Sequence, residues 1–285
     1  MIWLIGGTSE SVTIAKIISR SHLPLIISVT KDNARNLYSF LDSANIFVGK
    51  LNPETMVNFI QQYHINTIVD CSHPFATQIS QSVITICQQF HLPYLRYERE
   101  EVNLSSNDSL ITSVANDDSL LKGKKVLLTI GAKYLPLFKD YQSSATLYAR
   151  ILPYGESLNL AYQGGFSCDR IIALRPPISK ELEIALWKLW NIELVVTKAG
   201  GKAGGEDIKY QVARELNIEI IVISRPQIHY PQKTSNLQDV QKFIEQLKYP
   251  VSPESIESPV SLVSPVSLVT PAYLVSPCVP CFPLS

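Results

Sequence analysis

Apolar positions in the first third of the chain follow two alternating rhythms. Short continuous runs at 2–5 (IWLI), 24–30 (PLIISVT), 45–49 (NIFVG), 66–72 (NTIVDCS) and 93–99 (PYLRYER) read as buried strands. Between them lie segments of helical spacing. One is 9–20, with Val12, Ala15, Ile17 and Ile18 in step; another is 53–63, opened by Pro53; a third is 75–90. A polar, weakly periodic stretch follows around 98–122, and then the rhythm restarts. Strands are expected at 124–130, 145–152, 170–174, 192–198 and 218–224, and helices at 133–141, 179–191, 206–217 and 236–249. Strand–helix alternation with short connections means parallel sheets covered by helices. The expected fold is therefore α/β, with two Rossmann-like domains of mostly parallel sheets at 1–110 and 111–249.

Residues 250–285 obey neither rhythm. SPVSLV, SPVSLV, TPAYLV and SPCVPC bring proline back about every six residues. That spacing excludes regular helix and central strands. The segment reads as an irregular, Pro/Ser/Val-rich tail, expected to be disordered.

Composition narrows the function classes. Lysine plus arginine equals aspartate plus glutamate, 25 each, which argues against nucleic acid or an anionic membrane as partner. No apolar run reaches the roughly 18 residues of a membrane helix, and the start carries no secretory signal. Cys71, Cys87 and Cys168 are scattered, and Cys278 and Cys281 form a lone CxxC with no second pair, so no metal site is expected. A reducing cytoplasm and a monomer or small homo-oligomer fit best.

Ligands of open α/β sheets bind beyond the carboxyl ends of the strands. After the first strand comes GGTSE (Gly6, Gly7, Thr8, Ser9), a tight turn feeding a helix N-terminus that suits a phosphate or carboxylate. It is not GxGxxG, and a simple strand–helix turn explains the glycines equally well. After TIVD comes CSHPFA: Ser72 or His73 can cap the helix behind Pro74 and Phe75, and His73 is also placed to meet a ligand or deliver a proton. After 124–130 come Gly131 and Lys133. TKAGGKAGGEDIK, at 197–209, holds four of the chain's 12 glycines, flanked by Lys198, Lys202 and Lys209. Backbone amides and lysines there suit an anion, though the GK[ST] ending of a P-loop is missing. Arg96, Lys133, Arg150, Lys198 and Arg225 all sit at expected strand ends, an arrangement that suits a polyanion.

LIGGTSE, DCSHPFA, RYERE, TIG, ARILP and TKAGGKAGGEDIK, in that order over about 1–249, resemble the precorrin-6A reductase family of corrin (vitamin B12) biosynthesis. The family pattern has DATHPFA and TKxSGxxGG, so Cys71, Ser72 and Gly201 are mild departures. The resemblance implies NADPH-dependent reduction of one ring double bond (C18–C19) of a polycarboxylate tetrapyrrole, precorrin-6A or its cobalt form. It also implies two Rossmann-like domains around a cleft. On that basis Thr129, Gly131, Arg150, Thr197, Lys198, Gly200, Gly201, Gly204, Gly205 and Lys209 are expected at the cofactor. Gly6, Gly7, Thr8, Ser9, Ser72, His73, Pro74, Phe75, Arg96 and Arg99 are expected at the substrate, with His73 the candidate proton donor. Which glycine loop takes which ligand stays open.

Two other readings compete. A sugar-acting short-chain dehydrogenase needs Tyr-x-x-x-Lys, and none of the 13 tyrosines has lysine four residues on. An NAD(P)-binding sensor or scaffold without catalysis would keep a nucleotide loop yet need no second anionic cleft.

Overall fold

Every expected strand forms, and each one pairs parallel to its neighbours. The computed structural model describes residues 1–42, 45–102, 109–111 and 118–248. The expectation for the tail, 250–285, lies outside the described residues. Strands β1 (Ile2–Ile5), β2 (Leu25–Val29), β3 (Ile46–Val48), β4 (Thr67–Asp70) and β5 (Tyr94–Tyr97) alternate with helices α1 (Ser9–Arg20), α2 (Pro53–Gln62) and α3 (Thr77–Phe90). A second set follows: β6 (Ser109–Ile111), β7 (Lys125–Leu128), β8 (Thr146–Ile151), β9 (Ile171–Ala173), β10 (Leu194–Lys198), β11 (Glu219–Ile223) and β12 (Lys233–Thr234). Its helices are α4 (Gly155–Gln163), α5 (Lys180–Leu189), α6 (Glu206–Leu216) and α7 (Leu237–Lys248).

Two six-stranded sheets result, ordered β12-β5-β4-β1-β2-β3 and β6-β11-β10-β7-β8-β9. In each, the strand order reverses beside the first long strand of the set, β1 or β7. That is the doubly wound arrangement whose crevice takes ligands. Only the first sheet draws its sixth strand from across the junction. β6 runs beside β11 in the second sheet, whereas β12 follows β11 in the chain and returns to β5, with Lys233 opposite Arg96. Helix α7 returns with it and packs Val240, Phe243 and Ile244 into the first sheet's core beside Ile14 and Ile18. The expected division at residue 110 thus needs an addition: residues 233–248 belong to the first sheet's layers. Their apolar spacing gives a helix but not its address. Residues Met1–Tyr249 form one compact unit.

Burial explains the continuous apolar runs. Trp3 and Ile5 face the core with Met56, Phe59 and Val83, while Ile2 and Leu4 face Ile14, Ala15 and Val240. Both faces of a parallel sheet are covered, so alternate positions are equally apolar. The second sheet repeats this, with Val126 and Leu128 toward Leu135, Phe138 and Ala161, and Leu127 toward Trp187 and Val212. The helix expected at 133–141 is instead two 3-10 segments, Ala132–Phe138 and Asp140–Ser143, with Pro136 inside the first. Proline removes a helical donor and clashes with the preceding turn, so the tighter, shorter form is favoured.

Candidate active site

At the first sheet's strand ends the turn Gly6-Gly7-Thr8 leads into α1. The Thr8 hydroxyl accepts from the Ser11 amide at 3.2 Å, and the Ser11 hydroxyl accepts from the Thr8 amide at 3.1 Å. This reciprocal cap holds the helix start. The Gly7 amide donates to the Tyr38 hydroxyl at 2.8 Å, which ties the turn to the 3-10 segment Asp32–Tyr38. A Cβ at Gly6 would lie 2.4 Å from that hydroxyl, so glycine is required there by close approach. Gly7 has φ +100, and a side chain on it would meet nothing within 4 Å. That open space faces a cleft of about 1700 Å³, open to solvent, whose walls include Gly6–Thr8, Lys50, His73, Phe75, Lys133 and Tyr134.

Behind the cleft lies a buried ionic cluster. Arg96 is fully buried and gives Nη1 to Asp70 and to the Ser72 hydroxyl, both at 2.9 Å. Its Nε and Nη2 reach Glu98 at 3.2 and 2.8 Å. Asp70 also accepts from the Ser72 amide, the Ser80 hydroxyl and the Tyr94 hydroxyl. Glu98 further takes Lys233 at 2.7 Å and Arg225 at 3.3 Å. Burial would raise the Glu98 carboxyl, but Lys233 and Arg96 hold it below the usual range. Arg96 therefore ties strand ends together and presents no face to a ligand. Ser72 and Pro74 are buried in the same wall.

Arg99 and Arg225 stand two residues beyond β5 and β11. The Arg225 guanidinium bridges the sheets: Nε donates to the Ala199 carbonyl at 2.9 Å, and Nη1 and Nη2 donate to the Arg99 and Glu100 carbonyls at 2.7 and 3.2 Å. Arg99 pairs with Glu10 at 2.7 Å, and its stem lies against Gly201, where a Cβ would come within 2.9 Å. Gly201 therefore lets the two sheets approach.

The glycine loop after β10 is closed upon itself. Glu206, buried at the start of α6, accepts from the Gly201 amide and the Tyr210 hydroxyl, both at 2.6 Å. The Gly204 and Gly205 amides donate to the Gly201 and Lys202 carbonyls. Lys209 turns inward and donates to the Gly204 and Gly205 carbonyls at 2.8 and 3.2 Å. Desolvation, with Arg150 nearby, pulls its ammonium down to about 7. An internal carboxylate thus holds the amide expected to meet a ligand, and Lys209 braces the loop from behind. Thr197 is buried within β10, and Arg150 is paired with Glu183. Gly204 remains an open backbone surface, since a Cβ there would meet nothing within 4 Å.

Lys198 behaves differently from the arginines. Its ammonium lies 4.8 Å from the ring centres of both Phe75 and Tyr134, one from each side of the cleft. Gly131, φ +88, makes room for it: a Cβ there would sit 3.4 Å from Nζ. No carboxylate lies within ion-pair distance of Lys198 among the described residues. Desolvation first, then Lys133, lowers its ammonium to about 8. Lys31, just beyond β2, pairs with Glu156 of α4 at 2.5 Å.

His73 stands beside this cation. Its Nδ1 accepts from the Phe75 amide at 3.2 Å, so the neutral ring carries its proton on Nε2. Its ring opens to the cleft, yet the concave surroundings and four cations, Lys198 foremost, depress its imidazolium to about 4. At neutral pH it offers an Nε2–H donor rather than a positive charge.

The structure thus brings Gly6–Thr8, His73, Phe75 and Lys133 together around one cleft, with Lys198 packed against its lining rings Phe75 and Tyr134 and Gly131 beside Lys198. It withdraws Arg96, Arg150, Thr197, Lys209 and Arg225 into internal contacts. Ser9 is exposed beside α1's start and bonds Glu10. Sequence reasoning missed Tyr134 and Lys50, which border the cleft, and the carboxylates Asp70, Glu98, Glu183 and Glu206, which neutralise the cations. A signal for Glu98 was present in RYERE, where it stands two residues from Arg96 on the same strand face.

Over residues 1–248 the chain matches the family described as precorrin-6x reductase CbiJ/CobK. It belongs to that family. The chain is accordingly an oxidoreductase acting on a CH–CH group. It is 40% identical over 247 residues to a cobalt-precorrin-6A reductase from Synechocystis, covering 85% of this chain and 95% of that one. A cobalt-precorrin-6A reductase from Priestia megaterium is 32% identical over 246 residues, with 84% and 96% covered. A precorrin-6A reductase from Rhodococcus erythropolis is 25% identical, with 84% and 94% covered. A solved CobK precorrin-6A reductase shares the fold, with TM-score 0.71 at 21% identity over 90% of this chain and 99% of that one. No described helix is long and apolar enough to cross a membrane, and no described group of three or more His, Cys, Asp or Glu could hold a metal ion.

Proposed function

We propose that this reductase uses NADPH to reduce one ring double bond, C18–C19, of a precorrin-6A-type tetrapyrrole. The cobalt-containing form is favoured, because the relatives at 40% and 32% identity are named for it. The observation that carries the reading is the meeting at Lys198. The wall of the large cleft, through Phe75, there touches the strand-end loops of the second sheet, through Tyr134 and Gly131. Two reactants held on opposite sides of that junction would meet edge to edge, which is most of what a hydride-transfer protein must arrange.

In this reading the macrocycle takes the large cleft. Gly6, Gly7 and Thr8 give it a backbone floor, Phe75 an apolar face, and Lys50, Lys133 and the His73 Nε2–H meet its carboxylates. The cofactor lies along Thr129, Gly131 and the Gly200–Gly204 backbone, and supplies the hydride when bound. Open space at Gly204 is what such a group would fill. The reverse arrangement has one observation in its favour: open Gly7 stands at the start of α1, with Lys50 across the cleft to meet a 2′-phosphate.

Titration of NADPH against Gly204→Val and Lys50→Ala separates the two arrangements. The first arrangement expects Gly204→Val to lose affinity and Lys50→Ala to keep it; the opposite pattern reverses the assignment. Steady-state reduction with each cofactor tests the activity itself. NADPH should be preferred over NADH, and turnover should require the tetrapyrrole. A protein that binds NADPH yet never oxidises it with the tetrapyrrole would be a sensor.

A further inference from the structure

Reducing a carbon–carbon double bond needs a proton as well as a hydride. The groups that face the junction are His73, Lys198, Lys133, Tyr134 and, from behind, Arg99 and Arg225. His73 is neutral with Nδ1 engaged, so giving up its Nε2 proton would leave an anionic ring. Tyr134 is pushed above its ordinary value by burial. The arginines keep their protons at any working pH. Lys133 is exposed. Lys198 alone is held in place at the junction: two rings grip its ammonium, a glycine clears its path, and no described carboxylate engages it.

Resting on the function proposed above, we propose that Lys198 is the proton donor of the reduction, its ammonium facing the carbon beside the one that receives hydride. One carbon of the double bond takes the hydride of the reduced nicotinamide, which becomes the oxidised cation. The π pair forms the second C–H bond with a proton from Lys198. The Lys198 N–H bond breaks and leaves a neutral amine, which water reprotonates. Desolvation, with Lys133 nearby, brings this ammonium to about 8, close to the operating pH where a general acid is most effective. An arginine here would keep the charge but could not release the proton. His73, next to it, is a hydrogen-bond donor to substrate, which departs from its expected part as proton source.

The test compares Lys198→Met and Lys198→Arg with the parent in three measurements. Single-turnover reduction across pH should fall roughly 10²–10⁴-fold in both variants, the usual contribution of a positioned acid. NADPH affinity, read by direct titration, should stay at the parent value. Acylation of Lys198 in the unliganded parent, followed by mass spectrometry, should show its amine becoming nucleophilic near pH 8. If Lys198→Arg reduces at the parent rate, charge alone suffices and the proposal is overturned. If Lys198→Met loses NADPH affinity while its single-turnover rate survives, Lys198 is a phosphate contact and the proposal is again overturned. A parent that does not turn over at all would overturn the proposed function and this proposal with it, an outcome distinct from the other two.

Discussion

The two sheets share one strand order, yet they treat the charges at their strand ends in opposite ways. At the first sheet, Arg96 is surrounded by Asp70, Glu98 and Ser72 and is fully buried. At the second, Lys198 has aromatic rings for neighbours and no carboxylate partner among the described residues. Both cations stand at the carboxyl end of a parallel strand, where ligands bind in such sheets. A buried arginine with two carboxylates is structural, because its desolvation is offset only while all partners stay. A lysine held by rings keeps its charge for whatever enters the cleft. Position at a strand end therefore marks a candidate, and the surrounding carboxylates decide its part.

Arg96→Met breaks that comparison at its stronger end. It leaves Asp70 and part of Glu98 buried without their partner. Such losses typically destabilise by about 3–5 kcal/mol. Urea unfolding should show a lowered midpoint, whereas Lys198→Met should unfold like the parent. Equal destabilisation of both variants would erase the distinction.

A smaller effect separates the glycines. Gly201 has φ +71, and its added Cβ would meet Arg99 at 2.9 Å, while Gly204 faces open space. Gly201→Ala should cost about 1–3 kcal/mol from its positive-φ, extended-ψ backbone alone, a region nearly confined to glycine, and Gly204→Ala should be close to neutral. Comparable thermal melts for the two variants would show that the loop yields more easily than its contacts imply.

The smallest effect is a titration. His73 in the folded chain is lowered from 6.5 to about 4 by burial and by Lys198, Arg99, Arg96 and Arg225. The unfolded chain therefore binds this proton first as pH falls. The contribution of His73 to stability is complete above 6.5 and is lost as pH falls toward about 4. The His73 ring signals in NMR should stay fixed through pH 6.5 in the free protein. They should move toward higher pH once a polycarboxylate neutralises the surrounding cations. A ring that titrates normally in the free protein would contradict the electrostatics of the cleft.

Much of this was legible in the residues. Apolar runs gave ten of the strands because both sheet faces are buried, and Pro53 and Ser179 marked their helix starts. β6 and β12 were not legible: β12 is only Lys233–Thr234, held by backbone pairing that leaves no apolar pattern. α4 was hidden by its glycine start and by leaving only Ser157 and Ala161 buried. At the site, glycine turns and His73 could be located from strand ends alone. The partners of the cations could not, because Glu98 joins Arg225 and Lys233 across more than a hundred residues of sequence. The glycine cluster was the subtlest case. Its clustering signalled a special loop correctly, but the anion that its Gly201 amide meets is the chain's own Glu206.

The central claim is that this chain carries hydride from a nicotinamide cofactor to a tetrapyrrole held across the same cleft. The most direct measurement follows the hydrogen itself. NADPH deuterated at the transferring carbon, in each stereochemical form separately, is incubated with the protein and cobalt-precorrin-6A, and the product is weighed by mass spectrometry. The account predicts one deuterium in the reduced macrocycle from one of the two forms and none from the other. Reduced product that carries no deuterium from either form would contradict it.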